Sequence, residues 1–209
     1  MRIALSYTNM DMDNAFQSAR LVYRAPEEND EDITFIYEKI TLDPAIQAQA
    51  ACKTTPGKKK EAENYFKYVA NESLLGVIIC IRGESRQESD TKPVHIPIGI
   101  LHLNALKSPS GRDLHSEIGI QIAKDYQSQG YGTEALNWAL DWAFRFGGLH
   151  RVGIESFSFN TGATRLYRRL GFTEEGRVRQ EYWFNGEYHD KVIFGMLEDE
   201  WRRLRKNAI

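Results

Sequence analysis

The residues with the clearest chemical signature are Gln127-Ser128-Gln129-Gly130-Tyr131-Gly132, placed between a strand pattern, Glu117–Ile122, and a long helical pattern. Their spacing suits anion binding. The first N–H groups of a helix have no partner within it and carry the positive end of the helix dipole. Two glycines without Cβ atoms let a phosphate come close to those donors. Gln127, Ser128, Gln129, Gly130, Tyr131, Gly132 and Thr133 are therefore candidate pyrophosphate-binding residues for a nucleotide-like cofactor.

A second group could handle protons. Glu117 alternates with Gly119 and Gln121, which puts three polar or small residues on one face of a core strand. That suits a substrate face better than packing, although a carboxylate at a sheet end is the plainer account of Glu117 alone. Tyr167 shares a helix face with Ala163, Leu166 and Leu170, so packing accounts for it as readily as chemistry does. Asn160 precedes that helix and reads as its N-cap.

Other chemistries find no support. The five histidines are scattered, and neither Cys52 nor Cys80 has metal-ligand spacing to one. No metal site is expected. Cys80 lies in an apolar run and reads as a buried thiol, and two cysteines make no disulfide framework. The expected compartment is reducing, and the localisation cytoplasmic. A formal charge of −2 gives no global basic field, so no nucleic-acid partner is expected. No apolar run of about 18 residues exists, so no membrane span is expected.

The elements that must position these residues follow from periodicity and punctuation. Residues 1–17 read as a flexible leader without a signal-peptide apolar region, and residues 18–209 as a single domain. Ala19–Ala25 is a strand stopped by Pro26. Asp30 caps a helix through Ile40, a polar stretch follows Pro44, and Lys58–Asn71 is a second helix with Ala62, Tyr65, Phe66 and Val69 on one face. Lys58-Lys59-Lys60 reads as its solvated start. Leu74–Ile81, Val94–Leu103 and His115–Ile122 form an antiparallel meander, joined by polar loops over Arg82–Lys92 and Leu106–Asp113. Pro97 inside the second strand implies an edge or a bulge. Gly130–Phe146 is a helix with Ala135, Leu136, Ala139, Leu140, Ala143 and Phe146 inward, ended by Gly147-Gly148. Arg151–Phe157 is a strand and Asn160–Arg169 a short helix closed by Gly171. Phe172–Phe184 and Glu187–Leu197 form a hairpin around Asn185-Gly186. Glu198–Lys206 is a terminal helix. The class is α+β, a mixed and mostly antiparallel sheet with helices on both faces.

Two nucleotide folds compete for the glycine loop and fit badly. The dinucleotide fingerprint needs a third glycine, where this chain has Ala135, and a βαβ series rather than a meander. The Walker loop needs Gly-Lys-Ser/Thr, which is absent.

The pattern resembles the GNAT superfamily of acyl-CoA-dependent N-acetyltransferases. Gln127-x-x-Gly130-x-Gly132 after Glu117–Ile122 is similar to its motif A. Asn160-x-x-Ala163-x-x-Leu166-Tyr167-x-x-Leu170-Gly171-Phe172 is similar to its motif B. The opening Ala19–Arg24 and the ending Gly186-Glu187-Tyr188-x-Asp190-x-Val192-x-Phe194 resemble the RimJ/RimL-type branch, although Ala163 stands where many of that branch carry serine. The resemblance covers about Ser18 to Trp201.

The resemblance implies the GNAT fold, with its sheet splayed at the centre, and acetyl-CoA as co-substrate without a metal. It implies that the backbone at Ile120 and Ile122 pairs with the pantetheine arm as an added strand, and that Asn160 contacts the same arm. Tyr167 becomes the candidate general acid for a CoA thiolate whose pKa is near the ~8.5 of a cysteine thiol. Glu117 becomes the first candidate base for the acceptor amine, with Glu155 second. The hairpin aromatics Tyr182, Trp183, Phe184 and Tyr188, with Asp190, either close an acceptor pocket or pack the sheet. The implied acceptor is a primary amine, on a small molecule or a peptide N-terminus, and the implied assembly a monomer or homodimer. A CoA-binding module without turnover and a dinucleotide oxidoreductase remain as alternatives at this point.

Overall fold

The computed structural model describes residues 12–83, 95–106 and 114–206. The expected loops Arg82–Lys92 and Leu106–Asp113, and the leader up to residue 11, fall largely or wholly outside the described residues.

Seven strands are present: β1 (Leu21–Arg24), β2 (Leu75–Ile81), β3 (Ile96–Leu103), β4 (His115–Ile122), β5 (Arg151–Phe157), β6 (Thr173–Phe184) and β7 (Glu187–Leu197). The α-helices are α1 (Asp30–Phe35), α2 (Pro44–Ala51), α3 (Lys59–Lys67), α4 (Tyr131–Arg145), α5 (Thr161–Leu170) and α6 (Glu198–Lys206). The strand order is β1-β2-β3-β4-β5-β7-β6, antiparallel except for β4 beside β5. The mixed, mostly antiparallel α+β class expected from the sequence is observed.

The chain divides into two compact units, one of Phe16–Ala105 with Ile118–Ala135, the other of Met1–Ala15, Leu106–Glu117 and Leu136–Ile209. Strand β4 and helix α4 each run through both.

In the first unit β1, β2, β3 and the end of β4 form the antiparallel meander. Pro97 is tolerated in the interior strand β3 because the β2–β3 register shifts there. Ile79 pairs with Gly99 and Cys80 with Pro97, so Ile98 is the extra residue of a bulge. Phe35, Ile36 and Ile40 pack with Ala62, Phe66 and Val69 onto Ile78, Cys80 and Ile100. Cys80 is fully buried, as expected of a core thiol.

Several local expectations need correction here. Asn29, not Asp30, caps α1: its side chain accepts from the Asp32 N–H at 2.9 Å. The stretch after Pro44 is helix α2, with Asp43 accepting from the N–H groups of Ala45 and Ile46. Proline at the first helical position lacks only a donor that would have been unpaired. Helices α1 and α3 both run on into π-helical turns, Ile36–Thr41 and Tyr68–Glu72.

In the second unit β4 starts parallel to β5, with His115, Ser116 and Glu117 opposite Arg151, Val152 and Gly153. Strand β5 pairs β7, and β7 pairs β6. Asn185 and Gly186 take φ of 49° and 86°, the doubly positive turn that Asn-Gly signals, and Phe184 faces Glu187 across it. Gly171 closes α5 at φ 96°. Phe144 is buried in place of Phe146, which is 41% exposed. The end of the expected leader is tied down: Ala15 is buried, and its carbonyl accepts from Trp138 Nε1 at 2.8 Å.

Candidate active site

The loop between β4 and α4 is shaped by its own side chains. Gln127 Nε2 donates to the Ile122 carbonyl at 2.9 Å, and Gln129 Nε2 to the Asp125 carbonyl at 2.8 Å. Both glutamines thus brace the loop through its own carbonyls. Ser128 and Gly130 take positive φ, 60° and 85°. Alternation of left-handed residues with ordinary ones turns successive N–H groups toward one concavity. A Cβ built on Gly130 would meet only Arg20 Nη2, at 3.3 Å. Residues 127–130 are exposed and lead into a helix start, which fits a pyrophosphate in chemistry and in space.

Arg20, which the sequence did not single out, lies against this loop. Its Nε donates to Glu134 Oε2 at 2.8 Å and its Nη1 to the Gln129 carbonyl at 3.1 Å. The guanidinium lies 4.4 Å over the Tyr131 ring. Burial works to raise the Glu134 pKa, but hydrogen bonds from the Arg20 backbone N–H, Ser18 and the guanidinium outweigh it, and the carboxyl ends below its usual value.

On β4, Ile120 is opposite Leu101 and Ile122 opposite Gly99. The other face carries Gly119 and Gln121. Gly119 is opposite His102, whose ring is flanked edge-on by Tyr65 and Tyr68 at centroid distances of 5.7 and 5.5 Å. Tyr65 Oη lies 3.3 Å from His102 Nδ1, and Tyr68 Oη donates to Asn104 Oδ1 at 2.7 Å. Burial lowers the His102 pKa to about 4, so the ring is neutral near pH 7. Gln121 Oε1 is buried and accepts no hydrogen bond among the described residues.

In the other unit, Glu117 lies over Gly153, where a Cβ would stand 3.2 Å from its Cγ. Arg151 is held charged first by its bond to Glu175 and also by the nearby Glu117. Glu155 pairs with Lys191 at 3.7 Å, and Lys191 with Glu181 at 3.2 Å. That makes Glu155 part of a surface charge ladder.

Asn160 caps α5, its Oδ1 accepting from the Ala163 N–H at 3.1 Å. Tyr167 is buried, packed edge-on to Phe194 and tilted to Phe172 at 5.7 and 6.0 Å. Burial pushes its phenol up to about 12, so it stays protonated at neutral pH. Tyr182 and Phe184 pack on Phe157 and Phe159, each at 4.5 Å. Trp183 and Tyr188 instead form an exposed cross-strand pair at 4.9 Å. Asp190 accepts from the Gln180 N–H at 3.0 Å, which steadies the irregular part of β6.

Residues 20–173 match a family model described as an acetyltransferase (GNAT) domain. The chain belongs to this family. The spermidine N(1)-acetyltransferase of Vibrio cholerae is 36% identical over 86 residues, which are 41% of this chain and 50% of that protein. The chain spans about half the length of the curated relatives it matches. A GNAT-family acetyltransferase from Bacillus anthracis superposes with a TM-score of 0.70 at 19% identity, covering 88% of this chain and 98% of that one. The V. cholerae spermidine N-acetyltransferase solved with CoA and spermine gives 0.68 at 23%, covering 88% and 99%. Both structures are under 25% identical and establish the GNAT fold. Among the described residues no helix is long and apolar enough to cross a membrane, and no group of three His, Cys, Asp or Glu is placed to hold a metal.

Proposed function

We propose that this chain is an N-acetyltransferase that moves the acetyl group of acetyl-CoA to a primary amine within a ternary complex, and that it belongs to the RimJ/RimL-like branch. The observation that carries this reading is the family match over residues 20–173, which spans the braced phosphate loop and the Tyr167 helix together. The acceptor is a small cationic amine or a peptide N-terminus. Relatives named for spermidine acetylation favour the former.

Acetyl-CoA supplies an activated acetyl thioester. The N–H groups of Gln129, Gly130, Gly132 and Thr133 hold its pyrophosphate, and the backbone at Ile120 and Ile122, with Asn160, aligns the pantetheine arm. An ammonium has no lone pair, so Glu117 takes a proton from the acceptor, directly or through water. Attack then forms the C–N bond, and collapse breaks the C–S bond. Tyr167 serves the departing sulfur. A phenol at about 12 facing a thiolate near ~8.5 stabilises it chiefly by donating a hydrogen bond, because full transfer is uphill by roughly 3 to 4 pK units.

Calorimetric titration with acetyl-CoA, followed by thiol release across polyamines, amino acid amides and short peptides, tests this reading. Binding together with amine-dependent thiol release is expected. Absence of acetyl-CoA binding overturns it. Binding without turnover on any amine replaces it with a CoA-binding regulatory module.

A further inference from the structure

The loop Gln127–Thr133 contains no lysine or arginine, although its candidate ligand is a dianionic pyrophosphate. Among the described residues a guanidinium reaches this loop from Arg20, more than a hundred residues earlier in the chain. It is held on three sides: Glu134 takes Nε, the Gln129 carbonyl takes Nη1, and the Tyr131 ring lies beneath the plane. Glu134 is itself fixed, since its Oε1 accepts from the Arg20 backbone N–H and from Ser18 Oγ, both at 2.7 Å. Among the described residues these bonds use Nε and Nη1 and leave Nη2 beside Gly130. The side chain is 47% exposed, so that edge is open to a ligand.

Such an arrangement has two physical consequences. A guanidinium is a planar fork of five donors that keeps its charge at any working pH, and its geometry matches phosphate oxygens. Glu134 stands in the first turn of α4, where its charge competes with a phosphate for the helix N-terminus. Pairing with Arg20 cancels that competition.

We propose that Arg20 is a phosphate-binding residue, with Nη2 donating to the pyrophosphate of the acyl donor while Glu134 and Tyr131 hold the guanidinium in place. The proposal rests on the acetyl-CoA reading. A purely structural tie between Ser18–Arg20 and α4 would use the same contacts, so the test needs acyl donors that differ in their phosphates.

Arg20→Gln is assayed with acetyl-CoA, 3′-dephospho-acetyl-CoA and S-acetylpantetheine, which lacks every phosphate. Losing one charge-assisted hydrogen bond lowers kcat/KM by about 10- to 100-fold. That loss is expected for the first two donors, with S-acetylpantetheine changed less than about twofold. An equal loss on all three means a structural tie, and no loss means no contact. A loss confined to acetyl-CoA places Arg20 on the 3′-phosphate. Each of these overturns the proposal. If Arg20→Gln does not fold, Arg20→Lys keeps the charge without the fork and should give a smaller loss with the same donor pattern. A wild-type protein active on acetyl-CoA, with Arg20 variants unchanged, defeats only this inference. A wild-type protein that uses no acyl donor defeats the acetyl-transfer reading and this proposal with it.

Discussion

Gly119 on β4 faces His102 on β3 so closely that a methyl group at position 119 would stand 2.1 Å from the imidazole Cε1. The ring cannot step aside cheaply, because Tyr65 and Tyr68 stand edge-on against it. Gly119→Ala should therefore destabilise the protein by about 1 to 3 kcal/mol, the usual cost of overpacking. Because Gly119 adjoins Ile120, acetyl-transfer activity should fall as well. Urea unfolding measures the first effect. Stability equal to wild type would mean that the His102 ring moves freely.

His102 also makes stability depend on pH. Its folded pKa, about 4, lies below the unfolded value of about 6.5. Between those values the unfolded chain binds a proton that the native state refuses, so stability rises with pH across the window. The contribution is fully present above pH 6.5 and is lost as pH falls to 4, with an upper bound of about 3 kcal/mol. His102→Gln should flatten the unfolding free energy between pH 4 and 6.5 relative to wild type. An unchanged slope in the variant would show that other groups carry the dependence.

Tyr167 separates chemistry from packing. Phenylalanine keeps the ring contacts to Phe172 and Phe194 and removes only the hydroxyl. On the proposed mechanism Tyr167→Phe should lower kcat by about 100- to 1000-fold, the range for loss of a transition-state hydrogen bond. The KM for acetyl-CoA should stay within about twofold. Steady-state kinetics over pH 6 to 9 decides the matter, and an undiminished kcat would assign leaving-group stabilisation to solvent.

Legibility in the sequence followed locality. The Asn185-Gly186 hairpin, the Gly171 cap and the meander were readable because each is written in neighbouring residues. Helix α2 is hard to read from sequence although Asp43-Pro44 announces a start, because Pro44–Ala51 has almost no amphipathic contrast to confirm it. The π-helical turns after α1 and α3 have no local signature. The cluster of Tyr65, Tyr68 and His102 depends on the register that sets Gly119 opposite His102, and register is a property of pairing rather than of either strand. Arg20 was hidden for the same reason: its partners Gln129 and Glu134 lie far along the chain.

Gly130 is the position where backbone conformation and the proposed anion binding meet. Its φ of +85° is easy for glycine and costs an L-residue about 1 kcal/mol or more, and aspartate tolerates that region better than most. Gly130→Asp should therefore leave the fold intact, with a modest drop in the unfolding midpoint. The new carboxylate would start beside Arg20 Nη2, where it can capture the guanidinium, and would add negative charge at the mouth of α4. Both effects oppose a phosphate. CoA affinity should fall by at least about 30-fold, since the repulsion and the lost donor each amount to roughly 1 to 3 kcal/mol. Calorimetric titration with CoA at 50 and 300 mM salt checks this, and the deficit should narrow at high salt as the added charge is screened. Wild-type affinity in a folded Gly130→Asp protein would remove this loop from the cofactor site.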